Sequence, residues 1–108
     1  MIKVDLIKRD DQYISLSTSG HAGYDEHGKD IVCAAASILI INTINSIERF
    51  TGDEFSVTQE QESGTIDLQF KSSSSEKSKL LIDSMVFGLG EIQKKYDDKY
   101  LIINIQEV

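Results

Sequence analysis

Ile2, Val4 and Leu6 alternate with Lys3 and Asp5, and beyond the polar stretch Lys8-Arg9-Asp10-Asp11, Ile14 and Leu16 alternate with Ser15 and Ser17. A period of two on either side of turn residues predicts a β-hairpin over residues 2–8 and 12–19. The pattern then breaks into a polar loop over 20–29, where Gly20, Gly23 and Gly28 supply backbone freedom. From Asp30 to about Phe50 the residues suit a helix, and Thr51-Gly52 ends it as a glycine C-cap would. Within it, Ile38-Leu39-Ile40-Ile41 sets four aliphatics about 100° apart, so they sweep the whole circumference and ask for cover on more than one side.

Phe55 and Val57, then Ile66, Leu68 and Phe70, flank Glu60-Gln61-Glu62-Ser63-Gly64 and predict a second hairpin. Ser72-Ser73-Ser74-Ser75 is a connector, and Ser73 with Glu76 has the spacing of a capping box. Leu81, Met85, Leu89, Ile92 and Tyr96 form an amphipathic stripe that predicts a second helix to about Lys95. Gly88 and Gly90 inside it predict a close backbone approach or a bend. In the last run, Tyr100 to Gln106, Leu101, Ile103 and Ile105 share one face and Ile102 lies on the other, which predicts a strand inside the sheet rather than at its edge. The expected architecture is α+β in the order β-β-α-β-β-α-β, one mixed or antiparallel sheet packed with two helices.

At 108 residues this is enough chain for one core, so residues 1–108 are expected to form one domain. The N-terminal run Met1-Ile2-Lys3-Val4-Asp5 is unlike a signal peptide, and the longest apolar run is far short of a membrane span, so a cytoplasmic protein with no membrane partner is expected. A formal charge of −7 disfavours a nucleic-acid backbone as partner and matches a basic protein or peptide better. One cysteine excludes an internal disulfide and a multi-cysteine zinc site. His21, His27, Asp25, Glu26 and Asp30 lack metal-ligand spacing, so neither metal nor cofactor is expected. The apolar girth of the first helix suggests a second copy as its further cover, a homodimer; the second helix or an added strand is the alternative.

The chemistry concentrates where the loop enters the first helix. Cys33, the only cysteine, falls in the first helical turn, where unpaired N–H groups and the helix dipole favour a thiolate. His21 precedes it in the loop and would serve as its acid–base partner if the loop folds back. Backbone N–H groups near Cys33 are candidate oxyanion donors. Asp30 suits the N-cap position, yet its charge close to the sulfur opposes a thiolate; either the imidazolium outweighs it or Asp30 orients His21 as a third member of a triad. Ser37 shares the helix face of Cys33 and can reach the sulfur, the histidine or a substrate, or bond its own helix. By residue type alone, a lone cysteine among Ala, Ile and Val is more often a buried small apolar residue than a nucleophile.

Gly20-His21-Ala22, followed after a short gap by Gly28-Lys29-Asp30-Ile31-Val32-Cys33-Ala34-Ala35-Ala36-Ser37, closely resembles the signature of the bacterial ribosomal-processing cysteine proteases called Prp. The resemblance implies an endopeptidase that removes a short N-terminal extension from one large-subunit ribosomal protein, number twenty-seven. It implies Cys33 as nucleophile and His21 as general base, with Asp30, Ser37 and Gly20 as supporting residues. It also implies a homodimer and a loop that moves to admit substrate; Tyr24 and His27 lie at variable loop positions and receive no role. The cleavage segment of such substrates, Leu-x-Leu-Gln-Phe-Phe, is similar to Leu68-Gln69-Phe70, which ordinary strand alternation explains. Two other readings compete: a non-catalytic ribosome-assembly or protein-binding module of the same fold, and a different thiol chemistry, disfavoured by the lack of a resolving cysteine.

Overall fold

The computed structural model describes residues 1–26 and 30–108, which form β1 (Ile2–Arg9), β2 (Gln12–Ser19), α1 (Ile31–Phe50), β3 (Phe55–Glu60), β4 (Thr65–Phe70), α2 (Glu76–Tyr96) and β5 (Leu101–Glu107). The strands make one sheet in the order β3-β4-β2-β1-β5, with β5 parallel to β1 and every other pair antiparallel. This is the α+β order read from the sequence. Asp10 and Asp11, both at positive φ, close the first hairpin in the manner of a two-residue turn whose twist matches its strands. Gly28 and His27 of the predicted loop lie outside the described residues; Gly20 and Gly23 do adopt positive φ.

Register explains the core. Leu6 lies opposite Leu16 and Leu16 opposite Leu68, while Ile2, Val4 and Leu6 align with Leu101, Ile103 and Ile105. That face joins Val32, Ala36, Ile40, Ile44 and Ile47 of α1 and Ile82, Met85 and Leu89 of α2 in one buried cluster. The opposite face carries Asp5, Ser17, Asp67 and Asn104 in one row and is polar.

The expectation that the last strand lies inside the sheet is not met: β5 is an edge strand. Both hairpins and the β2–β4 pairing are already made, so only the outer sides of β1 and β3 remain for it. Its second apolar face reduces to Ile102, half-buried beside Lys3, and the next position outward is Asn104, whose amide donates to Asp5 at 3.0 Å.

The caps also differ in detail from the sequence reading. The C-cap of α1 is Thr51 itself, whose hydroxyl donates to the Ile47 carbonyl at 2.7 Å, rather than a glycine in the left-handed region. Ser75, not Ser73, caps α2, accepting from Ser78 N–H. The Asp53 carboxylate accepts from Ser75 N–H at 2.9 Å and from the hydroxyls of Ser75 and Ser78, tying the end of α1 to the start of α2. Burial opposes its charge, but these donors together hold the Asp53 carboxyl below its ordinary range.

Gly88 is the close approach foreseen in α2: a Cβ there would come within 3.0 Å of the Leu39 side chain. Gly90 faces open space and marks no approach, and α2 runs unbroken through both. Helix α1, at 20 residues, is long and apolar enough to cross a bilayer by length and composition, which its longest uninterrupted apolar run does not show. Here Val32, Ala36, Ile40, Thr43, Ile44 and Ile47 are buried, the five apolar ones in the core cluster, and Leu39 lies against Gly88 of α2. Ile31, Ile38 and Ile41 are left exposed, Ile38 to 69%.

Candidate functional site

Three chain segments converge at one end of the sheet. β2 ends at Ser19, and the chain turns away through Gly20 in the left-handed region, where a Cβ would run into the Met1 carbonyl. The Gly20 N–H donates to the Ser63 carbonyl at 2.9 Å, so the start of the loop is fastened to the turn between β3 and β4. His21 follows, exposed, with its ring between that turn and α1.

Cys33 occupies the first turn of α1, the third residue after the Asp30 N-cap. Its side chain is half-buried and lines two clefts on either side, one of about 230 Å³ that also includes Ile40, Ile41 and Ile66, and one bounded by Gly23, Asp25, Asp30 and Ala34. The sulfur is therefore not walled in by aliphatic side chains. The Cys33 Sγ lies 3.9 Å from His21 Nδ1, and the other ring nitrogen, Nε2, is 3.0 Å from the Glu62 main-chain carbonyl. A carbonyl only accepts, so Nε2 carries the hydrogen in that contact and Nδ1 offers its lone pair toward the sulfur. A thiol beside an imidazole oriented this way is a nucleophile and base pair suited to acyl transfer.

Asp30 takes the N-cap alternative of the two left open by its sequence position. Its Oδ1 accepts from Cys33 N–H at 2.9 Å, and its Oδ2 from Tyr24 N–H at 2.9 Å and Asp25 N–H at 3.5 Å. Burial works against its charge, yet these donors and Val32 N–H outweigh it and hold the carboxyl below its ordinary range. The same contacts occupy two of the helix-start amides near Cys33 that the sequence offered as oxyanion donors. Cys33 N–H is taken by the Asp30 side chain, and Ala34 N–H by the Asp30 carbonyl at 3.0 Å. Ser37, exposed one turn further along, lines both clefts with its hydroxyl on the face of Cys33.

Two features escaped the sequence. The Glu62 carbonyl is a main-chain atom, and no residue type announces it. Tyr24 packs edge-on against Tyr96 and Tyr100, with ring centroids 5.5 and 5.2 Å away, and so fastens the loop to the end of α2. An aromatic residue in an otherwise polar loop was the available signal. Among the described residues no group of three His, Cys, Asp or Glu side chains comes together to hold a metal. Leu68-Gln69-Phe70 lies in β4, paired on both sides, as an ordinary internal strand.

The sequence model of the family described as cysteine protease Prp matches residues 1–101. The chain is similar to the ribosomal processing cysteine protease Prp of Bacillus subtilis, at 29% identity over 103 residues covering 91% of this chain and 92% of that one. It is 26% identical over 99 residues to the protein of the same name from Staphylococcus aureus, covering 91% and 93%. A crystal structure of the S. aureus protease, in complex with a covalently linked product peptide, superposes with a TM-score of 0.90 at 25% identity, covering 98% of this chain and 100% of that one.

Proposed function

The chain belongs to the cysteine protease Prp family, and we propose that this protease removes an N-terminal extension from a basic large-subunit ribosomal protein, number twenty-seven, with Cys33 as nucleophile and His21 as general base. The observation that carries the assignment of roles is the line Sγ, Nδ1, Nε2, Glu62 carbonyl, with separations of 3.9 and 3.0 Å at its two ends. Catalytic contacts in the absence of substrate are commonly longer than in the working complex, and this one is within reach of proton transfer once the pair tightens.

His21 Nδ1 takes the Cys33 thiol proton as the sulfur attacks the scissile carbonyl carbon. The tetrahedral adduct collapses, the same proton passes to the leaving amine, and a thioester remains on Cys33. Water then attacks the thioester, giving a proton to His21, and the carboxylic product leaves with the thiol restored. Since the amides of Cys33 and Ala34 are engaged, the Ser37 hydroxyl is the supporting donor for the oxyanion. Asp30 and Gly20 support the site by holding the helix start and the loop start.

The cleft beside Cys33, walled by Ile40, Ile41 and Ile66, suits an extended apolar cleavage segment, and the charge of −7 suits a basic substrate. Incubation with the ribosomal protein carrying its extension, followed by mass spectrometry, is expected to give one cut at the extension junction. A precursor left intact, or cut indiscriminately, would refute the substrate assignment.

The exposed strip Ile31, Ile38 and Ile41 on α1 supports a homodimer, because isoleucines at this spacing gain most from a second apolar surface. Sedimentation at micromolar concentration is expected to give twice the chain mass, and Ile38→Glu to give the monomer. A wild-type monomer at that concentration contradicts this.

A further inference from the structure

The turn between β3 and β4 has no chemistry-bearing side chain in the mechanism, yet it touches the site at two main-chain points. Its Ser63 carbonyl accepts from Gly20 N–H at 2.9 Å and its Glu62 carbonyl faces His21 Nε2 at 3.0 Å. The approach needs glycine on both sides. Gly20 and Gly64 both have positive φ, and a Cβ on Gly64 would collide with the Gly20 carbonyl. Within the turn, Gly64 N–H donates to the Gln61 carbonyl at 3.2 Å and the hydroxyls of Ser63 and Thr65 pair at 2.7 Å, so the Glu62 carbonyl is held by the turn's own bonds.

We propose that this turn is a positioning element for the catalytic base: through the Glu62 carbonyl it keeps the hydrogen of His21 on Nε2 and the ring turned so that Nδ1 meets Cys33 Sγ. The inference rests on His21 being the general base. In the resting enzyme the carbonyl accepts from the neutral ring. Once Nδ1 has taken the thiol proton, the same contact becomes charge-assisted and stabilises the imidazolium. It is the part that a buried carboxylate plays in a triad, supplied here by a main-chain dipole whose position is set by Gly20 and Gly64.

The test uses the full chain labelled with ¹⁵N-histidine, the His21 signals being assigned by comparison with His21→Gln. The expected result for the wild type at neutral pH is an Nε2-bound hydrogen protected from solvent exchange. In Gly64→Ala, and in Gly64→Asn, whose side chain tolerates positive φ but still carries the colliding Cβ, that protection is lost and kcat falls about a hundredfold. The fall persists across the pH profile, because raising pH does not turn a misaligned ring. Circular dichroism shows which variants fold; if neither does, protection of the wild-type Nε2 hydrogen decides alone. A wild-type hydrogen on Nδ1, an unprotected Nε2, or a folded Gly64 variant with wild-type kcat overturns the inference. A wild type whose His21→Gln variant cleaves equally well overturns instead the reading of His21 as base.

Discussion

Replacing Cys33 with alanine is expected to lower kcat/KM for the precursor by about 10⁴-fold or more, because the mechanism runs through a thioester that cannot form without the sulfur. His21→Ala should lower it nearly as far, since without the imidazole the thiol proton has no acceptor at the moment of attack and the leaving amine no donor. The double variant should be little worse than either single one, as residues acting in one step are not additive. Cys33 is only half-buried, and its N–H bond to Asp30 is a main-chain contact that alanine preserves, so the melting temperature should stay near that of the wild type. Loss of cleavage without loss of fold is the diagnostic pairing. A folded Cys33→Ala protein that still cuts the precursor at the wild-type rate would remove the thiol from the chemistry.

The periodicity reached the fold well because a sheet covered on one side leaves a strong imprint. Ile2, Val4 and Leu6 face a core while Lys3 and Asp5 face water, and the strand boundaries follow within a residue or so. The place of β5 was not legible by the same means. Ile102 looks like half of a doubly buried strand, whereas the register seats it beside Lys3 on the largely polar face, and only the pairing of the other four strands leaves β5 an edge.

At the site, the places of Asp30 and Cys33 at the start of α1 and of His21 in the loop before it were readable because helix-start signals are encoded locally, whereas the grouping of His21, Asp30, Cys33 and Ser37 as one site came from the resemblance to Prp. Their mutual geometry was not readable. Whether Asp30 caps or orients depended on where Tyr24 and Asp25 present their N–H groups, and what holds His21 is a carbonyl from a hairpin some forty residues on. Main-chain groups carry no signature in residue identity except through the glycines that admit them, and Gly20 and Gly64 were the trace this one left.

Substitution of Asp30 separates helix capping from loop anchoring, and its two variants are expected to differ. In Asp30→Ala both oxygens go: Cys33 N–H loses its cap and Tyr24 N–H its tie to the helix. The cap alone is worth about 1–2 kcal/mol, which in a domain of this size lowers the melting temperature by roughly 4–8 °C per kcal/mol. In Asp30→Asn the amide oxygen still caps Cys33 N–H, since asparagine is a good N-cap, but the NH₂ now faces the Tyr24 and Asp25 N–H groups, donor against donor. Its melting temperature should therefore stay closer to wild type than that of the alanine variant, while kcat falls at least about tenfold because the segment after His21 is released from α1. The pH dependence follows from the same carboxylate. Its pKa is depressed in the folded protein, so its stabilisation is complete above the unfolded value near ~3.9 and is lost as pH falls through the lower folded value. Melts of wild type and Asp30→Asn should thus differ most at neutral pH and converge in acid below that range. Equal kcat in wild type and Asp30→Asn, or a gap in melting temperature that widens in acid, would show that the carboxylate serves neither the loop nor the site.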